Sequence, residues 1–430
     1  MKNVLVITYY WPPAGGPGVQ RTLKFVKYMK HFGWNPIVLV PKDGDYPTKD
    51  NSHIDEVTNT HVVYHKFFEP HAWYKKVRGM NKDEPITSTI LTDKSDSLTE
   101  KIAKWIRLNL FIPDARVGWL FSNKSTLESL FKNQKIDLIF SSGPPFTTHL
   151  LARKWGKRNN IPFVVDFRDP WTDFVSYQLN KRFFLSVRLD RYLEKKVVQE
   201  SSKTIVISPS MKKSFSEMIS SEHIEVITNG YDVDDFEEIV DEKPKHFCWT
   251  YAGNLDKNRV PYAFLAALKE FNQHHKNVIS CQFIGRQCEE LITEIKRLNI
   301  ETLCVLKAFM PHKDVVAEIQ SSYGLVLVID DVPNNKSFLT GKIFEYIGAQ
   351  KSILALGPTD GDASEILEES CAGKMFGYQD SESVVDFLKS EYAMFLNGSV
   401  RQVNAEKFQR DVLTHKLCKI FDRVVYDKKN

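Results

Sequence analysis

Arg259, Lys342 and Glu345 lie in the second half of the 430-residue chain, where charge meets the start of a helix or the end of a strand. Arg259 follows the turn GNLDKN (253–258), which leaves a strand-like apolar run, and offers a planar fork of N–H donors suited to phosphate. Lys342 stands just after Gly341 at the head of a helical stretch, where ammonium and helix dipole both favour an anion. Glu345, three residues on, shares that helix face. In the first half, TYYWPPAGGPGVQR (8–21) joins a strand-like run to a helical one. Gly15 and Gly16 would let a ligand approach the backbone, Pro17 suits a first helical turn, and Arg21 falls one turn in. Two further loops follow apolar runs. SSGPPFTTH (141–149) puts His149 just inside a helix, and DFRDPW (166–171) presents Asp166, Arg168, Asp169 and Trp171. A histidine or carboxylate there can position or polarise a hydroxyl group. The alternatives stay open: solvated surface charges, a purely structural turn, and a buried Asp166–Arg168 pair holding its loop.

These residues need elements to place them. After the opening loop, Phe25, Tyr28, Met29 and Phe32 recur as one helix face, and Gly33 then caps it before the strand NPIVLVP. The alternation continues with IDLIF (136–140), a helix from Thr147 to Arg158, IPFVVDF (161–167), a helix near 181–200 and KTIVIS (203–208). The second half repeats it with strands at 247–253, 278–285, 302–309, 324–330 and 352–357. Helices fall between them near 260–273, 288–298, 313–321 and 341–349. Continuous apolar strands alternating with helices predict parallel sheets covered on both faces. The fold class is therefore α/β, with two Rossmann-like doubly wound domains and ligands bound at the carboxyl ends of the strands, in a cleft between them. We place an N-terminal domain at 1–225 and a C-terminal one at 226–400. A final helix at 401–430 has an apolar stripe that must be covered, and packing back on the first domain is one option.

Apolar residues are 42% and charged residues 26% of the chain, and no run approaches the ~18 apolar residues of a membrane-spanning helix. MKNVLVITYYWPP is read as a strand and turn rather than a secretory leader. The six cysteines form no C-x-x-C pair, which suits reduced thiols and a cytoplasmic setting. Net charge is +4, yet residues 1–210 hold 32 Lys and Arg against 20 Asp and Glu, leaving the remainder acidic. A basic half and an acidic half imply different partners. Nucleic acid is not among those expected, because no zinc, RNP or basic-helix motif accompanies the charge.

YYWPPAGGPGVQR, SSGPPFTTH, VVDFRDPW, TNGYD, YAGNL and GKIFEYIGAQKSILAL occur in this order over nearly the whole chain. Together they resemble the GT-B-fold, family-4-type bacterial glycosyltransferases that build surface polysaccharide. The resemblance implies retaining transfer of a sugar from a nucleotide diphosphate sugar to a glycan or lipid-linked acceptor. It puts the donor mostly on the second domain, with Gly15, Gly16, Gly253, Asn254, Arg259, Gly341, Lys342 and Glu345 as donor residues, and Glu345 facing the ribose hydroxyls. Arg21, Arg168 and Trp171 would meet the acceptor, and His149 and Asp169 would serve the chemistry. One departure stands out: the family often has a glutamate eight positions before the one matched by Glu345, and Ser337 occupies that place.

Three D-x-D patterns (Asp43–Asp45, Asp232–Asp234, Asp360–Asp362) show how common that metal motif is by chance, and with Arg259 and Lys342 available no metal or other cofactor is expected. Three rival functions fit parts of the same sequence. An NAD-linked oxidoreductase is disfavoured because P-P-x-G-G-P-G replaces G-x-G-x-x-G and no acid precedes Asp43. A nucleotide-sugar epimerase of the same architecture, or a non-catalytic nucleotide-sugar-binding protein, would use the same site. In LTEKIAKWIRLNLFIPDARVGWLF (98–121), Leu98, Ile102, Trp105 and Ile106 share a face flanked by Lys101, Lys104 and Arg107. Peripheral contact with an anionic membrane through 70–121, at its inner face, is one reading. A core-facing helix with a solvated flank is the other.

Overall fold

Val4, Leu5, Val6 and Ile7 are all fully buried, a pattern that a strand shows only when both faces of its sheet are covered. The computed structural model describes residues 1–42, 44–46, 48–67, 98–122, 124–172, 182–236, 244–275 and 278–429. The chain divides into two units, Met1–Thr228 with Leu413–Asn430, and Asn229–Val412.

In unit 1 the strands are β1 (Lys2–Ile7), β2 (Trp34–Pro41), β3 (His61–His65), β4 (Leu138–Gly143), β5 (Phe163–Phe167), β6 (Lys203–Val206) and β7 (Ile224–Val226). They form one sheet in the order β3-β2-β1-β4-β5-β6-β7, with every pairing parallel. The helices are α1 (Pro17–Met29), α2 (Leu98–Asn109), α3 (Trp119–Ser122), α4 (Lys124–Asn133), α5 (Thr147–Asn159), α6 (Phe184–Glu200) and α7 (Pro209–Phe215). Alternate strand residues feed two cores. Leu5, Ile7, Ile139 and Val165 meet α5 and α6 through Leu151, Trp155, Val197 and Val198. Val4, Val6, Phe140 and Val164 meet α1 through Val19, Leu23 and Val26. The same second core receives Leu413, Leu417, Ile420, Phe421 and Val424 of the last helix, which spans Arg410–Lys429. Its Phe421 ring lies 5.3 Å from Trp34 and 5.4 Å from Phe140.

Unit 2 has β8 (Phe247–Ala252), β9 (Ile279–Ile284), β10 (Cys304–Lys307), β11 (Gly324–Val328), β12 (Ser352–Leu356) and β13 (Gly373–Phe376). Their order is β10-β9-β8-β11-β12-β13, again wholly parallel. The helices are α8 (Tyr262–His275), α9 (Glu289–Leu298), α10 (His312–Ser321), α11 (Lys342–Gly348), α12 (Asp362–Ser370) and α13 (Ser381–Leu396), and the last helix, Arg410–Lys429, is α14. Phe264, Leu268, Leu291 and Leu388 cover one face of the sheet, and Ile319, Ile343, Ile347 and Leu367 the other.

The sequence reading did not include β3, β7 and β13. β3 lies at the sheet edge with its first four residues partly open to solvent, β7 has 3 residues and β13 has 4. None carries the long apolar run that marks a covered strand. Of the 70–121 stretch read as a membrane contact, residues 70–97 lie outside the described residues, as do residues 237–243 early in the second domain. No described helix is long and apolar enough to cross a membrane.

Candidate functional site

In both sheets the strand order reverses beside the first strand of the unit, between β1 and β4 and between β8 and β11. The loops leaving such neighbouring strands go to opposite faces, and a crevice opens at their carboxyl ends. The residues singled out from the sequence cluster at these two places.

In unit 2, Gly253 follows β8 with φ +126°, and an ideal Cβ there would lie 2.2 Å from the Lys342 Nζ. Only glycine leaves room for this backbone and for the lysine that crosses it. The Lys342 ammonium donates to the Tyr251 hydroxyl at 2.9 Å and sits 4.4 Å above that ring. Burial, reinforced by the neighbouring Arg259 charge, lowers its pKa to about 8. Burial raises the Tyr251 hydroxyl well above its ordinary value, so it stays protonated. Arg259 stands at the end of a short turn begun by Asp256, whose carboxylate accepts the Asn258 N–H at 2.9 Å. Its guanidinium makes a two-pronged pair with Asp330, Nε to Oδ1 at 2.7 Å and Nη2 to Oδ2 at 2.8 Å. Asp330 follows β11, so this pair bridges the loops of the two strands flanking the reversal. Asn254 is exposed, and its side-chain oxygen accepts the Arg286 N–H at 3.2 Å. Gly341 precedes α11 in ordinary helical conformation with open space about it. Glu345 is partly exposed, with His312 Nε2 at 3.8 Å. Ser337 ends the short turn Asn335–Ser337 and is also partly exposed.

Tyr251, Asp330 and Tyr346 belong to this site and were not found from the sequence. The Tyr346 hydroxyl accepts the Ala252 N–H at 2.9 Å, tying α11 to the end of β8. An acid at the end of the apolar run GLVLVID was the available signal for Asp330. Its partner lies 71 positions away, and no local spacing links them.

In unit 1 the chemistry-bearing residues are more deeply enclosed. Arg21, read as an acceptor contact, is buried. Its Nη2 meets Asp166 Oδ1 at 2.7 Å, and it donates to the Ile227 and Thr228 carbonyls at 2.8 and 2.7 Å. Asp166 also accepts the Ser142 hydroxyl at 2.7 Å. Burial pulls its carboxyl up, but the Arg21 charge and these hydrogen bonds more than offset that and hold it below the usual range. The bland alternative for Asp166 is thus the one seen, with Arg21 rather than Arg168 as the guanidinium. Arg168 is nine-tenths buried and donates to the carbonyls of Gly143, Gly18 and Pro144, clamping the three loops together. Trp171 is fully buried, stacked on Phe146 at 5.0 Å, with its N–H on Asp190 at 2.7 Å. These three residues shape the loop floor.

His149 is buried, with Nδ1 paired to the Ser141 hydroxyl at 2.8 Å and Nε2 without a hydrogen-bond partner. Burial lowers its pKa to about 3, so the ring is neutral. Asp169 is partly exposed by area, and burial of its carboxyl raises its pKa against the pull of Arg168. The opening loop departs from the sequence reading in one respect. The Gly15 N–H donates to Thr48 at 2.8 Å and the Asp50 N–H to Pro13 at 2.9 Å, so this part of the turn is laced to 48–50 rather than bare. Gly16 is exposed with φ +87° and caps α1.

Among the described residues no group of three His, Cys, Asp or Glu side chains is placed to hold a metal ion. Of the D-x-D patterns, Asp43 lies outside the described residues, Asp232 accepts the Asp234 N–H, and Asp360 pairs with Lys336.

Residues 77–235 match the model of Glycosyltransferase Family 4. HepE of Anabaena, solved with UDP, superposes with a TM-score of 0.62 at 12% identity, covering 98% of this chain and 100% of that one. The chain has the GT-B fold. Sucrose-phosphate synthase of Thermosynechococcus elongatus superposes at 0.59 with 11% identity, covering 99% and 100%. S. aureus TarM, solved as a mutant with UDP among its ligands, gives 0.57 at 11% identity, covering 98% and 100%. No curated protein sequence matches the chain. Two doubly wound parallel sheets, with the cations of this GT-B chain at the reversal point of the second, agree with the family read from the motifs.

Proposed function

We propose that the chain is a retaining, metal-independent hexosyltransferase. It would move a sugar from a nucleoside diphosphate sugar to a glycan or lipid-linked acceptor, at the cytoplasmic side, in bacterial surface-polysaccharide synthesis. One observation carries this reading: Lys342, crossing Gly253 to the Tyr251 hydroxyl, and Arg259, fixed on Asp330, both stand over the carboxyl edge of the unit-2 sheet. Two cations held near one another, one of them partly desolvated, suit a group whose negative charge grows during reaction. A departing nucleoside diphosphate is such a group. HepE was solved with UDP and glucose, which supports the choice of ligand.

In the mechanism we infer, the glycosidic C–O bond to the diphosphate breaks and the charge appears on the phosphate oxygen facing Arg259 and Lys342. That oxygen takes the acceptor hydroxyl proton as the new C–O bond forms on the same face. Gly253, Asn254 and Gly341 border the donor, and Glu345 would accept hydrogen bonds from ribose hydroxyls. His149, neutral, would offer Nε2 to a hydroxyl of the sugar or acceptor, with Asp169 alongside. The clamped loop bearing Arg168 and Trp171 would shape the acceptor side.

The test is a thermal-shift panel of UDP, GDP, ADP, dTDP and NAD on the wild type and Arg259→Ala, followed by product analysis with the matching nucleotide sugars. Stabilisation by one nucleotide, lost in the variant, together with acceptor-dependent glycoside retaining the donor's anomeric configuration by NMR, is expected. Turnover of donor alone to an epimer would replace this reading with the epimerase. Stabilisation by NAD alone would refute both.

A further inference from the structure

Helices α2 and α6 leave large apolar side chains in water. On α2, Ile102, Trp105 and Ile106 lie at i, i+3 and i+4 and are 51%, 49% and 36% exposed, and Leu110 just beyond is 64% exposed. On α6 and the residue before it, Phe183, Phe184, Leu185, Leu189 and Tyr192 are all exposed, Phe184 by 66%. These are adjoining surfaces. The Phe183 N–H donates to the Asn109 side chain at 2.6 Å, the Ser186 hydroxyl to the Asn109 carbonyl at 2.9 Å, and Arg182 Nε to the Leu108 carbonyl at 3.0 Å. The carboxyl end of α2 is thus sewn to the amino end of α6. An apolar patch of this breadth on one unit marks a docking surface.

The charges around it choose the partner. Every acid of α6 before Glu200 is turned inward: Asp190 takes the Trp171 N–H and Arg182, and Glu194 takes the Thr172 hydroxyl. Arg188, Arg191 and Lys195 are exposed on the same helix, and Lys101 is exposed on α2, flanking its apolar face. Segregating acids to the core and cations to the solvent face leaves the described outer face of α6 apolar and positive. Two copies meeting through it would set these cations against one another. An anionic bilayer instead takes the rings into its interfacial layer and the cations against its headgroups, where Trp and Tyr are favoured.

We propose that α2 and α6 together form a platform by which unit 1 lies on an anionic lipid surface, with Trp105 and Phe184 inserted and Arg188, Arg191 and Lys195 on the headgroups. The α6 half of the platform was not visible in the sequence. The inference rests on exposure and charge alone and is independent of the donor site.

The test uses the full chain, sedimented with vesicles of phosphatidylglycerol and phosphatidylcholine in equal parts, and with vesicles of phosphatidylcholine alone. Binding to the mixed vesicles and not to the neutral ones is expected. Arg188→Gln with Arg191→Gln should weaken that binding by about tenfold or more, since each interfacial cation adds roughly 1 kcal/mol. Trp105→Ser with Phe184→Ser should weaken it through insertion instead, and should abolish any blue shift of tryptophan fluorescence on mixing. All four sites are solvent-facing, so both double variants should keep the wild-type melting temperature and nucleotide response. That separates failure here from failure of the enzymatic reading. Equal binding to neutral and anionic vesicles would overturn the proposal, as would no binding to either. So would concentration-dependent dimerisation that the Trp105 and Phe184 changes abolish, because the patch would then be covered by a second copy.

Discussion

Gly253→Ala is the sharpest probe of the cationic site. The added Cβ falls 2.2 Å from Lys342 Nζ and 2.5 Å from Cε, and the backbone there has φ +126°. Two effects should follow, and they separate. The backbone strain is intrinsic to the position and amounts to about 1–3 kcal/mol whatever Lys342 does. The collision instead acts through Lys342, pushing the ammonium off the Tyr251 hydroxyl that it meets at 2.9 Å. A charge-assisted hydrogen bond contributes about 1.5–3 kcal/mol. If the same ammonium serves a diphosphate, its displacement should weaken nucleotide binding by about one to two orders of magnitude. Lys342→Ala should weaken binding by a similar factor. In the double variant no lysine remains to be displaced, so the second change should add little to the first. The assay is calorimetric titration of all four proteins with whichever nucleoside diphosphate stabilises the wild type. The double-mutant cycle then isolates the coupling. Multiplicative losses would refute the argument that Gly253 exists to seat Lys342, and a Gly253→Ala protein with wild-type affinity would refute the placement of Lys342 itself.

Because Lys342 titrates at about 8 in the free protein, below its ordinary value, its charge is lost as pH rises through that region. Nucleotide affinity should fall between pH 8 and pH 10, with proton uptake on binding near pH 8 seen as a buffer-dependent enthalpy, and Lys342→Ala should flatten both. For folding alone the sign is opposite. The depressed pKa penalises the folded state fully below 8, and the penalty fades as pH rises toward the unfolded value, so Lys342→Ala should stabilise most at neutral pH, as urea titrations would show. Asp166→Ala strips Arg21 of its carboxylate at a fully buried site and should destabilise by about 3–5 kcal/mol, measured by urea unfolding of unit 1. His149, with its pKa near 3, should show no ring titration between pH 5 and 8 by NMR. His149→Gln should lower turnover without changing nucleotide affinity.

The alternation of covered strands and helices was legible because parallel strands buried on both faces leave long apolar runs, as in VLVI and GLVLVID. The positions of Arg259 and Lys342 at element ends were legible too, since each follows directly on a strand-end turn or a helix start. What the sequence hid was pairing at a distance. Arg21 could be read as a free cation only because its partners, Asp166 and the 227–228 carbonyls, lie 145 and more positions away. The same holds for Arg259 and Asp330. The Gly15 turn was misread for a related reason: which backbone groups stay bare depends on a neighbouring segment, 48–50, that carries no motif. The patch on α6 was invisible because its acids and cations alternate in sequence and segregate only once the helix turns.

The last helix has a consequence for how the chain is made. The core that it shares with Val4, Val6, Trp34 and Phe140 belongs to the first unit, yet unit 2 is synthesised in between. A ribosome that has completed residue 228 holds a seven-stranded sheet with one face only partly clothed. That face must wait for nearly two hundred further residues before Leu417 and Phe421 arrive to close it. Unit 2, contiguous in sequence, is free to collapse as it emerges. The amino-terminal half, begun first, is therefore the last to be completed, and the carboxyl-terminal helix is the stitch that finishes it.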